Sequence, residues 1–264
     1  MPVLLQRLLP KHFLSRLVGY LAKSEHSLIK GLFIQIFSFV YNIDLEEAER
    51  KKKSDYKSFN DFFTRSLMPG ARTIQGSISS PADGTIASMG NIDGDTLIQS
   101  KYHHYSLADL IATDDTNDFI NGSFITIYLA PHNYHRVHVP WAGELLNTIY
   151  VPGDLFSVGQ KTTLKIPNLF ARNERLVCRF HTKAGPSAAV LVGAMLVAGI
   201  KPVWLEHAYE PKLKVETEIK RVFQQGDQLC QFEMGSTVIL IFNKHMNFAV
   251  KEGDLVKVGQ CLIY

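Results

Sequence analysis

Met234-Gly235-Ser236-Thr237-Val238-Ile239-Leu240-Ile241-Phe242 reads as an apolar strand with a glycine-serine bond at its mouth. Runs of similar texture recur from about Ile78 onward: Thr85-Ala87, Phe124-Leu129, Leu145-Val151, Leu176-Phe180, Ala188-Ile200 and Leu255-Ile263. β-branched and aromatic residues favour strands. Between them stand turn pairs such as Asp83-Gly84, Asp93-Gly94, Asn121-Gly122 and Gly253-Asp254. The expected fold is therefore α+β: a mostly antiparallel β barrel or sandwich core preceded by helices.

The helices come first. Leu4, Leu5, Leu8 and Leu9 fall at helical spacing before Pro10, and Phe13, Leu14, Leu17, Val18 and Leu21 resume the pattern. A third helical stretch starts near Leu28. Lys11, Arg16 and Lys23 are interspersed among the apolar residues. Such amphipathic helices can pack on their own protein or lie in a membrane interface. A spanning helix needs about 20 mostly apolar residues. Leu28-Tyr41 is too short and is interrupted by Lys30, Gln35 and Ser38. On residue pattern alone both readings stay open for the helical segment 1–44, expected to be membrane-associating once the resemblance given below is added, ahead of 45–264 as the expected catalytic domain. Leu45-Arg50 reads as an exposed helix, and Ser58-Leu67 as another with Ser58 as its N-cap.

A formal net charge of +3 gives no reason to expect a nucleic-acid partner. Cys178, Cys230 and Cys261 are odd in number and in no metal-ligand pattern, so buried free thiols in a reducing compartment are expected.

Two further segments carry chemistry. Ser80-Pro81-Ala82-Asp83-Gly84 supplies an aspartate, and Tyr134-His135-Arg136-Val137-His138-Val139-Pro140 two histidines. A serine hydroxyl attacks only when a base takes its proton and a third group orients that base. Ser236, His138 and Asp83 suit those roles. Alone, each has an ordinary reading: a cap, a strand residue, a turn residue. His135 and His138 also raise zinc, but on a strand i and i+3 point to opposite faces.

Six segments resemble the bacterial phosphatidylserine decarboxylase proenzymes, in that family's order. They are Phe59-Asn60-Asp61-Phe62-Phe63, Pro81-Ala82-Asp83-Gly84, Tyr134-His135-Arg136-Val137-His138, the run from Tyr150 to Val158, the run from Asn168 to Arg175, and Gly235-Ser236-Thr237. Met234 stands where the family often has leucine, a swap of similar volume.

The resemblance implies that Asp83, His138 and Ser236 form a self-cleavage triad. The cut between Gly235 and Ser236 would give a β subunit, 1–235, and an α subunit, 236–264. It implies that Ser236 becomes a pyruvoyl group, with no metal, and forms a Schiff base with phosphatidylserine to release phosphatidylethanolamine. His135 is the candidate proton donor. Arg136, Arg172 and Arg175 could pair with lipid phosphate but are equally defensible as structural residues. The expected setting is the cytoplasmic face of the bacterial cell membrane, on anionic lipids, as a β/α heterodimer open to further oligomerisation. The alternatives are a zinc peptidase using His135, His138 and Asp83, a biotinyl or lipoyl carrier with Lys244 at a hairpin tip, and a pyruvoyl decarboxylase of soluble amino acids.

Overall fold

The computed structural model describes residues 11–100, 102–194, 199–210, 212–233 and 236–264. The Leu4-Leu9 stretch and the Met234-Gly235 step lie outside the described residues.

The main sheet has eight strands, each antiparallel to its neighbours. In spatial order they are β11 (Val215–Phe223), β7 (Gly143–Val151), β8 (Arg175–Thr182), β9 (Gly185–Gly193), β13 (Ser236–Phe242), β5 (Ser123–Leu129), β2 (Gly84–Asn91) and β14 (Leu255–Val256). A second sheet holds β10 (Ile200–Pro202), β12 (Gln228–Phe232) and β6 (Arg136–His138). Two short pairs complete the set: β1 (Ile78–Ser79) with β15 (Cys261–Ile263), and β3 (Thr96–Ser100) with β4 (His103–Ser106).

β13 occupies the interior of the main sheet, between β9 and β5, and all seven of its residues are buried. Side chains alternate along a strand, so its apolar run serves two cores. Val238, Leu240 and Phe242 join Val137, Trp141, Leu229 and Phe232, on the side of the second sheet. Ile239 and Ile241 join Leu107, Leu110, Phe119, Leu169 and Phe170 on the other side. The layers stack like a sandwich. No barrel closes, because the edge strands β11 and β14 do not pair with each other among the described residues.

The expected run Ala188-Ile200 divides at Gly193, and Leu255-Ile263 divides into β14 and β15, which join different sheets. The Asp254 carbonyl, just ahead of β14, accepts from the Ile86 N–H of β2 at 2.9 Å.

Among the described residues three α-helices stand ahead of the sheets: α1 (Lys11–Ala22), α2 (Ser27–Tyr41) and the short α3 (Phe59–Phe63). The Ser58 hydroxyl caps α3 by accepting from the Asp61 N–H at 3.1 Å, as expected, but the helix ends at Phe63 rather than Leu67. Phe59, Phe62 and Phe63 pack against Phe33 and Phe37 of α2. Leu45-Arg50 is not helical. Ala48 bridges Leu67 there, and the part-exposed Glu47 pairs with Arg72 and Lys257.

None of the described helices is long and apolar enough to cross a membrane. On α2, Leu28, Leu32, Ile36 and Phe39 form an exposed stripe at helical spacing, Phe39 being 91% exposed. Cys178 and Cys230 are buried free thiols, and Cys261 is half-buried.

Candidate active site

Ser236 opens β13 with no exposed surface, and strand alternation aims it to the same face as Val238, toward the second sheet. Its Oγ has no hydrogen-bond partner among the described residues. A buried hydroxyl left unpaired costs about 1–3 kcal/mol, so this serine weakens the fold where it stands. Leu129 and Gly193 lie opposite it on either side. Beyond Leu129 the chain turns through Ala130-Tyr134 into β6. There the His135 carbonyl accepts from Phe232 N–H at 2.9 Å, tying the histidine segment to the approach to Ser236.

His138 sits on β6, and its N–H donates to the Pro81 carbonyl at 2.8 Å, which holds the Asp83 segment alongside. Gly84 allows the neighbouring strand in: a Cβ there would collide with the Tyr128 carbonyl. The His138 Nδ1 lies 2.8 Å from the Gly226 carbonyl, and Nε2 lies 3.0 Å from the Tyr134 hydroxyl. A carbonyl only accepts, so Nδ1 carries the hydrogen and Nε2 the lone pair, which takes the Tyr134 O–H. Burial lowers the pKa of this imidazole, partly offset by the Gly226 bond. His138 is therefore an uncharged base with Nε2 as its accepting atom.

Asp83 is bonded elsewhere. Its Oδ1 accepts from Val258 N–H at 2.8 Å and its Oδ2 from Arg72 at 3.0 Å. Arg72 in turn holds Glu47, which also pairs with Lys257. Asp83 acts on His138 through its charge, which favours the imidazolium, rather than through a direct hydrogen bond. Tyr134 and Gly226 do the orienting. Tyr134 belongs to a segment singled out in the sequence yet was given no role. A backbone carbonyl such as that of Gly226 leaves no trace in residue type.

His135 is wholly buried, its ring 4.0 Å between centroids from that of Phe63. Its Nδ1 donates to the Asn133 carbonyl at 2.8 Å, leaving a lone pair on Nε2 that finds no partner among the described residues. Burial depresses its pKa to about 3. The unfolded chain takes up a proton near pH 6.5 while the folded one does not, so the stability tied to this neutral ring is complete above pH 6.5 and declines as pH falls toward 3. In an uncut Ser236→Ala background, the parent should lose about 2 kcal/mol more between pH 6.5 and 5 than its His135→Phe derivative. Urea titrations at the two pH values read this directly; equal losses would mean that the ring charges in the folded state.

The three arginines are engaged. Arg136 donates to the Thr64 carbonyl and to Gln228, and Arg172 pairs with Asp154. Arg175 donates to the carbonyls of Asp109, Leu110 and Asn173. The zinc alternative also fares poorly on its donors. Both nitrogens of His138 and both oxygens of Asp83 already have partners, and among the described residues no three His, Cys, Asp or Glu side chains gather as a metal-holding group.

Comparison with known proteins bears on this arrangement. A family profile described as phosphatidylserine decarboxylase matches residues 59–264, and one described as PSD matches residues 1–42. The chain is 47% identical over 270 residues to the phosphatidylserine decarboxylase proenzyme of Alcanivorax borkumensis, covering 97% of this chain and 93% of that protein. It is 44% identical over 266 residues to the proenzyme of Psychrobacter arcticus, covering 98% and 96%. Against that of Acinetobacter baylyi it is 48% identical over 244 residues, covering 90% and 85%. By these matches the chain belongs to the phosphatidylserine decarboxylase family and is a decarboxylating enzyme.

Proposed function

We propose that the chain cuts itself between Gly235 and Ser236 and then decarboxylates phosphatidylserine to phosphatidylethanolamine with a pyruvoyl group derived from Ser236. The observation that carries this reading is the fully buried hydroxyl of Ser236, which has no partner among the described residues. Among the described residues nothing uses that oxygen, and its placement lowers stability. Both facts fit a group kept for reaction.

Residue 236 would hold the pyruvoyl group at the start of β13, between Leu129 and Gly193. Once formed, such a ketone acts as an electron sink for a bound amine, drawing off the charge left when carbon dioxide departs. The residues around it have separate tasks. His138 Nε2 accepts the hydroxyl proton of Ser236 once the Tyr134 hydroxyl yields its place. Asp83 steadies the positive charge that His138 then carries, while Arg72 and Val258 N–H fix the aspartate. His135 remains the candidate to protonate carbon after carbon dioxide leaves. Its Nε2 bears a lone pair, so a proton must reach it within the turnover before it can deliver one.

The cut would yield a large fragment, 1–235, and a small one, 236–264, still joined through the hydrogen bonds of β13 with β5 and β9. Denaturing electrophoresis alongside carbon dioxide release from phosphatidylserine vesicles tests the whole reading. Two fragments and release are expected, whereas an intact chain that releases carbon dioxide would end the self-cleavage account.

The α2 stripe supports a peripheral place on the membrane. A two-chain lipid leaves a bilayer at about 0.8 kcal/mol per methylene, so a membrane-seated enzyme that admits only the head group avoids that cost. Lys30 does not take part, since its ammonium donates to the Tyr56 carbonyl at 2.7 Å. Replacing Leu32, Ile36 and Phe39 together by glutamate should lower partitioning onto anionic vesicles roughly a thousandfold, taking about 1.5 kcal/mol per side chain. Unchanged sedimentation with the vesicles would assign the stripe to a protein contact.

A further inference from the structure

Directly opposed residues on antiparallel strands project to one face. Ser236 is opposed to Gly193, and the Gly193 N–H donates to the Glu174 carbonyl at 2.8 Å. A Cβ placed on Gly193 would lie 3.8 Å from the Cβ of Glu174. Glu174 therefore leaves the backbone on the face that Gly193 and Ser236 share. The row reads serine, bare glycine, glutamate. Its ends are two strand spacings apart, about 10 Å, and the middle position carries no side chain.

Glu174 is 3% exposed. Carboxylates are rarely so buried without a partner, yet its Oε1 has none among the described residues. The titratable group facing it from β7 is Tyr150, whose hydroxyl lies close enough to favour the carboxylate and so partly offsets the effect of burial. Tyr150 is stacked on Tyr209, which has the thiols Cys178 and Cys230 behind it. Arg175, the next residue, is committed to the carbonyls of Asp109 and Leu110. Burial raises the Glu174 carboxyl to about 7. A buried acid with one oxygen left unpaired among the described residues, aligned with the reacting residue across an open glycine, is placed to meet a ligand.

We propose that Glu174 is the base that takes a proton from the ammonium group of the incoming serine head group, with that nitrogen lying over Gly193. This rests on the reading of residue 236 as a carbonyl-bearing group. The nitrogen-hydrogen bond breaks and leaves its electron pair on nitrogen, while an oxygen-hydrogen bond forms on the carboxylate. Nothing is oxidised or reduced. Only the free amine can attack a carbonyl carbon, and amines of this class are mostly protonated at neutral pH. The carboxyl that results is uncharged, so it does not repel the carboxylate of the head group.

The test compares two amines on Glu174→Gln. An alkoxyamine is already unprotonated at neutral pH and needs no base, whereas phosphatidylserine does. Covalent capture of each by the small fragment is followed by intact mass, with borohydride used to fix the lipid. The variant should be cut normally and capture the alkoxyamine at the wild-type rate, but capture phosphatidylserine about 10²–10⁴-fold more slowly at pH 7. That deficit should shrink as pH rises and the free amine appears. Equal slowing of both amines, no slowing of either, or a variant that stays uncut would overturn the proposal. The unmodified enzyme gives a second measure that needs no variant: its capture of phosphatidylserine should fall off below about pH 7, and a flat profile from pH 8 to 5 would also overturn it. A wild-type enzyme whose small fragment carries no carbonyl would instead contradict the pyruvoyl reading itself.

Discussion

Ser236→Ala should leave the chain whole and without decarboxylase activity, and at the same time make it more stable. The first effect follows from removing the oxygen assigned here to attack the Gly235 carbonyl, on the residue that would later carry the ketone. The second follows from burial: the Oγ is enclosed without a hydrogen-bond partner among the described residues, and deleting such a group recovers about 1–3 kcal/mol. A methyl group remains in place, so the packing of Leu129 and Gly193 against it is little disturbed. The comparison should be made between uncut chains, with His138→Ala as the reference and urea midpoints as the readout. Stability unchanged or lowered in Ser236→Ala would mean that the hydroxyl has a partner in the intact chain. Cleavage at the normal position would remove Ser236 from the reaction altogether.

His138→Ala should slow cleavage by about 10²–10⁴-fold, the usual contribution of a positioned base. Over a period in which the parent is fully cut, the variant would run almost entirely at full length on a denaturing gel. The assignment rests on Nε2, whose lone pair is fixed by the Gly226 carbonyl bonded to the other nitrogen. Added imidazole should restore part of the rate, because the missing group is a diffusible base rather than a packing element. Full cleavage of the variant in the parent's time would transfer the proton-accepting role to another group. Tyr134, already 3.0 Å from Nε2, would be the first to consider.

Strands that pack on both faces were the most legible part of the fold. β13 reads as an unbroken apolar run because it feeds two cores, and β5 is similarly enclosed. β11 was invisible for the opposite reason. It is an edge strand whose Glu216, Thr217, Glu218, Lys220 and Arg221 face largely outward, with an irregularity between Glu218 and Arg221. Charges and irregularities of this kind keep an edge from pairing with other chains, and they also erase the apolar alternation that marks a strand. Leu45-Arg50 misled in turn. Its composition suits an exposed helix, but Glu47 is claimed by Arg72, and that tertiary bond supports the aspartate at the site.

The candidate site divides in the same way. Asp83, His135, His138 and Ser236 are distinctive residue types inside recognisable segments, so they could be named from sequence. What could not be read was who orients whom. The sequence suggests an aspartate-histidine pair, whereas the structure gives the aspartate to Arg72 and a backbone amide, and the histidine to a carbonyl and Tyr134. Glu174 was hidden for a related reason. Its interest lies in standing across a side-chain-free position from Ser236, 62 positions away along the chain.

One determination bears on all of this most directly: the intact mass of the small fragment released from the purified protein under denaturing conditions. The account requires a species beginning at residue 236, lighter by one ammonia than the unmodified 236–264 sequence, resistant to N-terminal degradation and reactive toward carbonyl reagents. A fragment of unmodified mass with a free serine amine, recovered from a protein that still decarboxylates phosphatidylserine, would contradict it.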